Sequence, residues 1–257
     1  VFVACACFPA IDPGARKLRL ARRILEREIA AQHHPDGVNR EQAVHYQAFA
    51  LYFFLLAGLL ARDNGMDFSP AYWETLERSA GFLAALATDD GHVPQIGDSD
   101  DGRAIVLQDG EAHDERSLLA VCGVLFSRPD WVRKAGPCDE TVLWLLGPQG
   151  VARFEELAGR AQGVHTGPSG LAFEQGGYYL MSAGAQGQIT AIVDCGPLGY
   201  RSIAAHGHAD ALSLVLTVQG RPLLVDPGTY TYVAKDPYRN YFRSTRAHNT
   251  VEVDGLD

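Results

Sequence analysis

The sequence predicts an α+β chain built as two consecutive layers, helical over residues 1–162 and stranded over residues 163–257. Three observations lead there. Apolar residues recur at helical spacing through the first layer. Gly163-Val-His-Thr-Gly-Pro-Ser-Gly170 then interrupts the pattern with turn-forming residues. Beyond it, short runs of β-branched and alternating residues are separated by glycine and proline. Helices followed by strands pack as segregated layers; alternating elements would have indicated an α/β sheet.

The 257 residues are 47% apolar, a globular composition with enough chain for a sizeable core. A formal charge of −9 argues against nucleic acid as the principal partner, because phosphate binding needs a basic face. An acidic small molecule or polymer stays open, since a local arginine cluster overrides a mean field. The five cysteines are scattered and include no CxxC pair, so neither a disulfide scaffold nor a thiolate metal site is indicated. The apolar start, Val1 to Phe8, ends at Pro9 and Asp12, too short for a membrane span and without the basic lead of a signal peptide. No membrane span is expected, and oligomeric state is not legible. The chain begins at Val1 and stops at Asp257 inside a strand-and-turn pattern, so it reads as an internal piece of a longer protein.

Taken in order, Lys17 to His34 carries an apolar stripe (Leu18, Leu20, Ala21, Ile24, Leu25, Ile29 and Ala30) with arginine and glutamate opposite, and Pro35-Asp-Gly37 stops it. Glu41 to Arg62 is apolar nearly all round, which predicts a helix buried between neighbours, with Glu41, Gln42, His45, Tyr46 and Gln47 as a polar tip. Ser69-Pro70 opens a third helix over Tyr72 to Thr88. A polar loop from Asp89 to Arg103 follows. Its Asp98, Asp100 and Gly102 hint at a calcium loop, but Gly102 and Asp109 stand where ligands are needed. Helices resume at Asp114–Ser127, Asp139–Leu146 and Ala152–Ala161, giving a layer of helical hairpins. Strands are expected at Leu171–Phe173, Gly177–Ser182, Gln188–Asp194, Leu212–Val218, Leu223–Val225 and Thr250–Val253. The leucines at 212, 214 and 216 predict the buried face of their strand.

Three groups of residues carry chemistry. His206-Gly-His208 and His248 lie next to predicted strands, and Asp226 ends another, so His208, Asp226 and His248 form a candidate zinc site with an open fourth position. The alternative makes Asp226-Pro-Gly an ordinary turn and the histidines surface groups. Tyr46 sits in the polar first turns of an otherwise buried helix, where a side chain opens onto a groove. Tyr230, Tyr232, Lys235, Tyr238, Arg239, Tyr241, Arg243 and Arg246 form a loop suited to carboxylate or sulfate groups on sugars, or simply a solvated loop.

Three stretches in this order resemble the heparinase II/III-like polysaccharide lyases, which are related to alginate lyases. They are Asp36-Gly-Val-Asn-Arg-Glu-Gln42-Ala-Val-His-Tyr46, then Gln95-Ile-Gly-Asp98-Ser-Asp-Asp-Gly-Arg103, and then the series from His206-Gly-His208-Ala-Asp210 through Leu224-Val-Asp226-Pro-Gly-Thr-Tyr230 to Arg243-Ser-Thr-Arg-Ala-His248-Asn-Thr250. The resemblance implies an incomplete (α/α) toroid followed by an antiparallel β-sandwich, with the substrate cleft between them. It implies β-elimination on a uronic-acid polysaccharide such as a glycosaminoglycan, alginate or bacterial exopolysaccharide. By the same match Tyr46 is the general acid, and also the base for one configuration at C5, with His206 as second proton handler. His208, Asp226 and His248 hold a structural zinc, and Gln42, His45, Tyr230, Arg239 and Arg243 line subsites. A periplasmic or secreted location follows from the family as well. The family's carboxylate-neutralising asparagine or histidine has no match here, since the chain starts about where its helix would be ending. The competing expectation is a catalytically silent glycan-binding protein or scaffold of the same fold. A hydrolase would need two opposed carboxylates, for which the Asp98–Asp101 loop is the only support.

Overall fold

The most apolar helix sets the helical layer. In the computed structural model it is α3 (Val44–Asp63), with α1 (Phe2–Cys7), α2 (Arg16–Gln32) and α4 (Pro70–Leu86) around it, then α5 (Asp114–Leu125), α6 (Pro129–Ala135) and α7 (Glu140–Ala161). The structure describes all residues except 101, 108–113, 162–169, 185–188, 201–202 and 233–236. The expected layer boundary, Asp101, Asp109 and Lys235 therefore lie outside the described residues. Leu55 and Ala61 of α3 are wholly buried, and Leu51 nearly so. Gly58 admits the indole of Trp73 from α4, since a Cβ there would lie 2.6 Å from the ring. Among the described residues α3 is the one helix long and apolar enough to cross a membrane, and 56% of its most apolar stretch is buried inside the protein. The core helix of a helical layer needs the same composition.

Helix boundaries follow local chemistry. Ser69 caps α4 by accepting from the Tyr72 N–H at 3.2 Å, with Pro70 in the first turn. The two helices expected between Asp139 and Ala161 form one run broken at Gly147 and Pro148, where Gly147 leaves helical geometry. The second predicted helix starts three residues later than expected, at Val44. Gln42 adopts a left-handed φ of 56°, and the Val44 N–H is taken by the Ile96 carbonyl. Glu41 and Gln42 thus belong to the approach loop, which leaves Tyr46 in the first turn. Helices α1 and α6 were not expected from the sequence. α1 anchors through Phe2, whose ring lies 5.6 Å from Phe68.

The approach loop is held by a buried amide. Gln47 accepts from the Asn39 N–H at 2.6 Å and donates to the Gly37 carbonyl and to Ser79. His33 Nδ1 lies 2.8 Å from the Ile29 carbonyl and its Nε2 lies 3.2 Å from Ser79 Oγ, so the neutral Nδ1–H tautomer satisfies both ends.

The strands β1 (Gly170–Phe173), β2 (Tyr178–Ala183), β3 (Ile189–Asp194), β4 (Leu214–Val218) and β5 (Arg221–Leu224) form one antiparallel sheet in sequential order. In register, Phe173 faces Tyr178, Tyr178 faces Asp194, and Ile192 faces Val215. These residues make up the face toward the helices, where Phe82 of α4 packs on Phe173 and Tyr178 at 4.9 and 5.1 Å. This reverses the expected inner face of β4. Val215 is buried, while Leu214 and Leu216 share the other face with Tyr179 and Met181, and Leu212 lies exposed before the strand. Val215 shares the inward face with Thr217 and follows Ser213, so the alternation of leucines with polar residues pointed to the opposite face. Among the described residues there is one sheet, a single layer of the expected sandwich. The strand expected at Thr250–Val253 is absent there too: that segment makes only an isolated bridge from Val253 to Leu256.

The layers are bonded at their junction. Asp36 Oδ2 accepts from the N–H groups of Gln175 and Gly176, both at 2.8 Å, and the Tyr178 hydroxyl donates to the Gln42 carbonyl. Gly37, at φ +95°, lies against the Arg78 backbone, where a Cβ would approach to 2.3 Å.

Candidate active site and metal centre

Tyr46 and His206 come from different layers and meet face to face. Their rings stack with centroids 3.7 Å apart and 23° between planes. The first turn of α3 presents Tyr46, and a turn ahead of β4 presents His206. His206 adopts a φ of 64°. A left-handed histidine costs on the order of 1–3 kcal/mol and persists only where its surroundings enforce it. The Gly207 N–H bonds to the Ala204 carbonyl, the Arg243 guanidinium donates to the Gly207 carbonyl at 3.0 Å, and the His206 carbonyl accepts from the Asp98 N–H at 2.9 Å. Around the stacked pair, Glu41 Oε2 lies 3.6 Å from His206 Nε2, and the Tyr232 hydroxyl lies 3.4 Å from His206 Nδ1. Tyr46 donates to Asp100 Oδ2 at 2.9 Å. Burial, then hydrogen bonding to Tyr232 and Asp100, raises the Tyr46 phenol well above its usual value.

The Gln95–Asp100 loop ties the centre together. Its Ile96 carbonyl caps α3, and a Cβ on Gly97 would meet Ala43 and the His206 carbonyl at 2.8 and 3.0 Å. Asp98 is buried behind His206. It takes a bidentate pair of bonds from Arg239 at 3.1 and 3.0 Å and lies 3.0 Å from His208 Nε2. Burial alone would raise its carboxyl, but the bonds to His208 and Arg239 outweigh this and hold it at about 2. Asp98 is therefore a permanent anion.

His208, Asp226 and His248 converge as the spacing suggested, each offering a ligand atom within 4.8 Å of the others. His248 Nδ1 donates to the Ser244 carbonyl at 2.8 Å, and His208 Nε2 donates to Asp98. With both outer nitrogens protonated, the lone pairs of His208 Nδ1 and His248 Nε2 face one another at 3.3 Å. Asp226 Oδ2 lies 3.6 Å from His248 Nε2, buried and without a hydrogen-bond partner. Three acceptors converging without a donor between them fit a divalent cation. The outer partners Ser244, Asp98 and Gly228 (whose N–H bonds Asp226 Oδ1 at 2.9 Å) are of the kind that orient ligands around one. Burial also raises the carboxyls of Asp210 and Asp226, and lifts Asp194 to about 6.

The remaining candidates spread out. His45 Nε2 lies 3.2 Å from Asp100 Oδ1, off the line of a hydrogen bond. Gln42 is buried and its side-chain nitrogen lies 3.4 Å from His34 Nε2, away from the stacked pair. Arg239 and Arg243 are engaged by Asp98 and the Gly207 carbonyl. Tyr230 is exposed and stacks on Phe242 at 5.2 Å. Asp98, Asp100, Glu41 and Tyr232 are neighbours of the centre that the sequence placed in other groups and did not assign to it. The carboxylates of the polar loop were visible in the sequence, but their partners more than 50 residues away in the chain were not.

Comparison with known proteins converges on one family. A family model described as heparinase II/III N-terminus matches residues 1–113, and one described as heparinase II/III-like, C-terminal, matches residues 165–257. A heparin-sulfate lyase of Pedobacter heparinus is 24% identical over 96% of this chain and 33% of its own length. A solved heparinase III with methylated lysines superposes with a TM-score of 0.71 at 23% identity, over 97% of this chain and 34% of that one. A heparan sulfate lyase structure from Pedobacter heparinus gives 0.71 at 20% identity, over 99% and 36%. The chain thus shares the fold of these relatives and spans about a third of their length. The first part of its helical layer, through α4, matches the family's N-terminal part and its sheet with the metal-type cluster matches the C-terminal part, so the chain belongs to the heparinase II/III family.

Proposed function

We propose that this chain carries the proton-transfer centre of a polysaccharide lyase that cleaves a uronic-acid polysaccharide by β-elimination. The observation that carries the reading is the Tyr46–His206 stack, which places two proton-handling groups from different layers at one point. The C5 proton of a uronate is weakly acidic, and its removal expels the oxygen at C4 to leave a C4=C5 double bond. Tyr46 acts as the acid toward the leaving oxygen and as base for one C5 configuration, and His206 serves as the second proton handler. The relatives' names make a glycosaminoglycan the first substrate class to test.

His208, Asp226 and His248 would hold a structural zinc. A bound zinc supplies the positive charge that three converging acceptors lack. Arg239 and Arg243 then work as supports of Asp98 and the His206 turn, while exposed Tyr230 offers an aromatic face to a sugar ring. A periplasmic or secreted location accords with a polymeric substrate. The silent-scaffold alternative rests on the missing match for the family's carboxylate neutraliser, and the Tyr46→Phe comparison below decides between the two. A hydrolase is disfavoured because Asp98 is paired with Arg239 and Asp100 holds Tyr46, which leaves no opposed carboxylate pair among the described residues of that loop.

The test is a panel of heparan sulfate, hyaluronan, alginate and a bacterial capsule incubated with the full-length protein, read as ultraviolet absorbance of the unsaturated product. Tyr46→Phe is expected to lose about 10²–10⁴-fold in turnover while still binding polymer, the usual span for general acid–base catalysis. No absorbance gain on any polymer would sink the lyase reading, and full turnover in Tyr46→Phe would remove Tyr46 from it.

A further inference from the structure

We propose that Asp100 is the proton store of Tyr46, a positioning residue that holds the phenol hydrogen in the resting site and receives it during the reaction. The inference deepens the lyase reading and rests on it. Asp100 is built for one task. Its Oδ1 accepts from the Gly102 N–H at 2.7 Å, which closes a turn and fixes the carboxylate, while Oδ2 is left to accept from Tyr46 at 2.9 Å. His45, the residue before Tyr46 in the first turn of α3, lies 3.2 Å from Oδ1. Among the described residues no other carboxylate near the stack is placed for this. Glu41 faces the far nitrogen of His206, and Asp98 is committed to His208 and Arg239.

A tyrosine base has a chemical difficulty that Asp100 resolves. The groups facing the Tyr46 hydroxyl are Tyr232, Asp100 and the stacked His206, and burial with the first two disfavours a free phenolate. Transfer to a carboxylate already in hydrogen-bond contact avoids forming one. The C5–H bond breaks and its proton joins Tyr46 Oη as the phenol's own proton passes to Asp100 Oδ2. The C–H electron pair becomes the C4=C5 double bond, and the C4–O bond breaks with its electrons on the leaving oxygen. That oxygen takes a proton from Tyr46 Oη, and Asp100 returns the stored proton to Tyr46. The net change is one proton moved from C5 to the leaving oxygen, with both side chains restored.

The experiment compares full-length wild type, Asp100→Asn and Asp100→Glu after confirming equal thermal midpoints. In Asp100→Asn, kcat near neutral pH is expected to fall by about 10²-fold with KM little changed. Its remaining activity should climb with pH about tenfold per unit, because the phenol must then ionise to solvent. Asp100→Glu should recover part of the neutral-pH rate. Independently of turnover, the Tyr46 signal in ¹³C-tyrosine NMR (assigned with Tyr46→Phe) should titrate at lower pH in Asp100→Asn than in wild type. An Asp100→Asn profile parallel to wild type, or an unchanged Tyr46 titration, would overturn the proposal. An inactive wild type would fail the lyase reading instead, and the titration would still decide whether Asp100 controls the Tyr46 proton.

Discussion

At the residue scale, the cluster around His206-Gly-His208 separates into two jobs. His206 turns to Tyr46, and His208 turns to His248 and Asp226. Asp98 stands between them, bonded to His208 and Arg239 and sending its backbone N–H to the His206 carbonyl. If the cluster holds zinc, metal content of the purified protein should be near stoichiometric and should collapse in His248→Ala or Asp226→Ala. Unchanged content in both variants would refute the ligand set. Asp98→Asn removes the charge that orients His208, so zinc affinity is expected to fall about 10–100-fold in competition with a chelator. The convergence of His208, Asp226 and His248 was legible from spacing, because strand ends bring neighbouring runs together predictably. Asp98 was not, because it comes from a loop about 110 residues earlier in the chain.

At the element scale, the first turn of α3 decides where Tyr46 points, and the His33–Ser79–Gln47 network holds the loop that leads into it. Burial lowers His33 from 6.5 to about 4, and no carboxylate faces it in its hydrogen bonds to Ile29 and Ser79. The unfolded chain therefore takes up this proton first. Stability contributed by neutral His33 is complete above about pH 6.5 and is lost as pH falls toward 4, by on the order of 3 kcal/mol. Urea midpoints measured across that window should fall less steeply in His33→Gln than in wild type. Equal slopes would show that His33 does not carry this loss. The helix itself was readable from its all-round apolar pattern. Its start was not, because the Ile96 carbonyl and left-handed Gln42 that define it are tertiary features.

At the scale of the whole molecule, the Tyr46–His206 stack exists only while the helical layer and the sheet stay in register. Asp36 is one fastener, with two sheet-side N–H groups on one carboxylate oxygen. Asp36→Ala is expected to lower unfolding stability by about 1–3 kcal/mol, since those donors lose a charged acceptor. Turnover should drop further than in a surface control of equal stability, because Tyr46 and His206 sit on opposite sides of that junction. Stability and rate both within error of wild type would show that the junction is held by its aromatic packing at Phe82, Phe173 and Tyr178 instead.

The sequence by itself determined the order of the layers, the buried helix, the meander strands, the metal-type trio and the family motifs. Each of these depends on periodicity or on residue types at short spacing, which local chemistry dictates. Only the tertiary structure decided which face of β4 turns inward, that Arg239 and Arg243 brace the centre, and that Gln42 turns away from it. It also decided that Asp98 and Asp100 stand beside His208 and Tyr46. Such pairings depend on loop closure between distant parts of the chain, where the partner is chosen by packing and no sequence period records the choice.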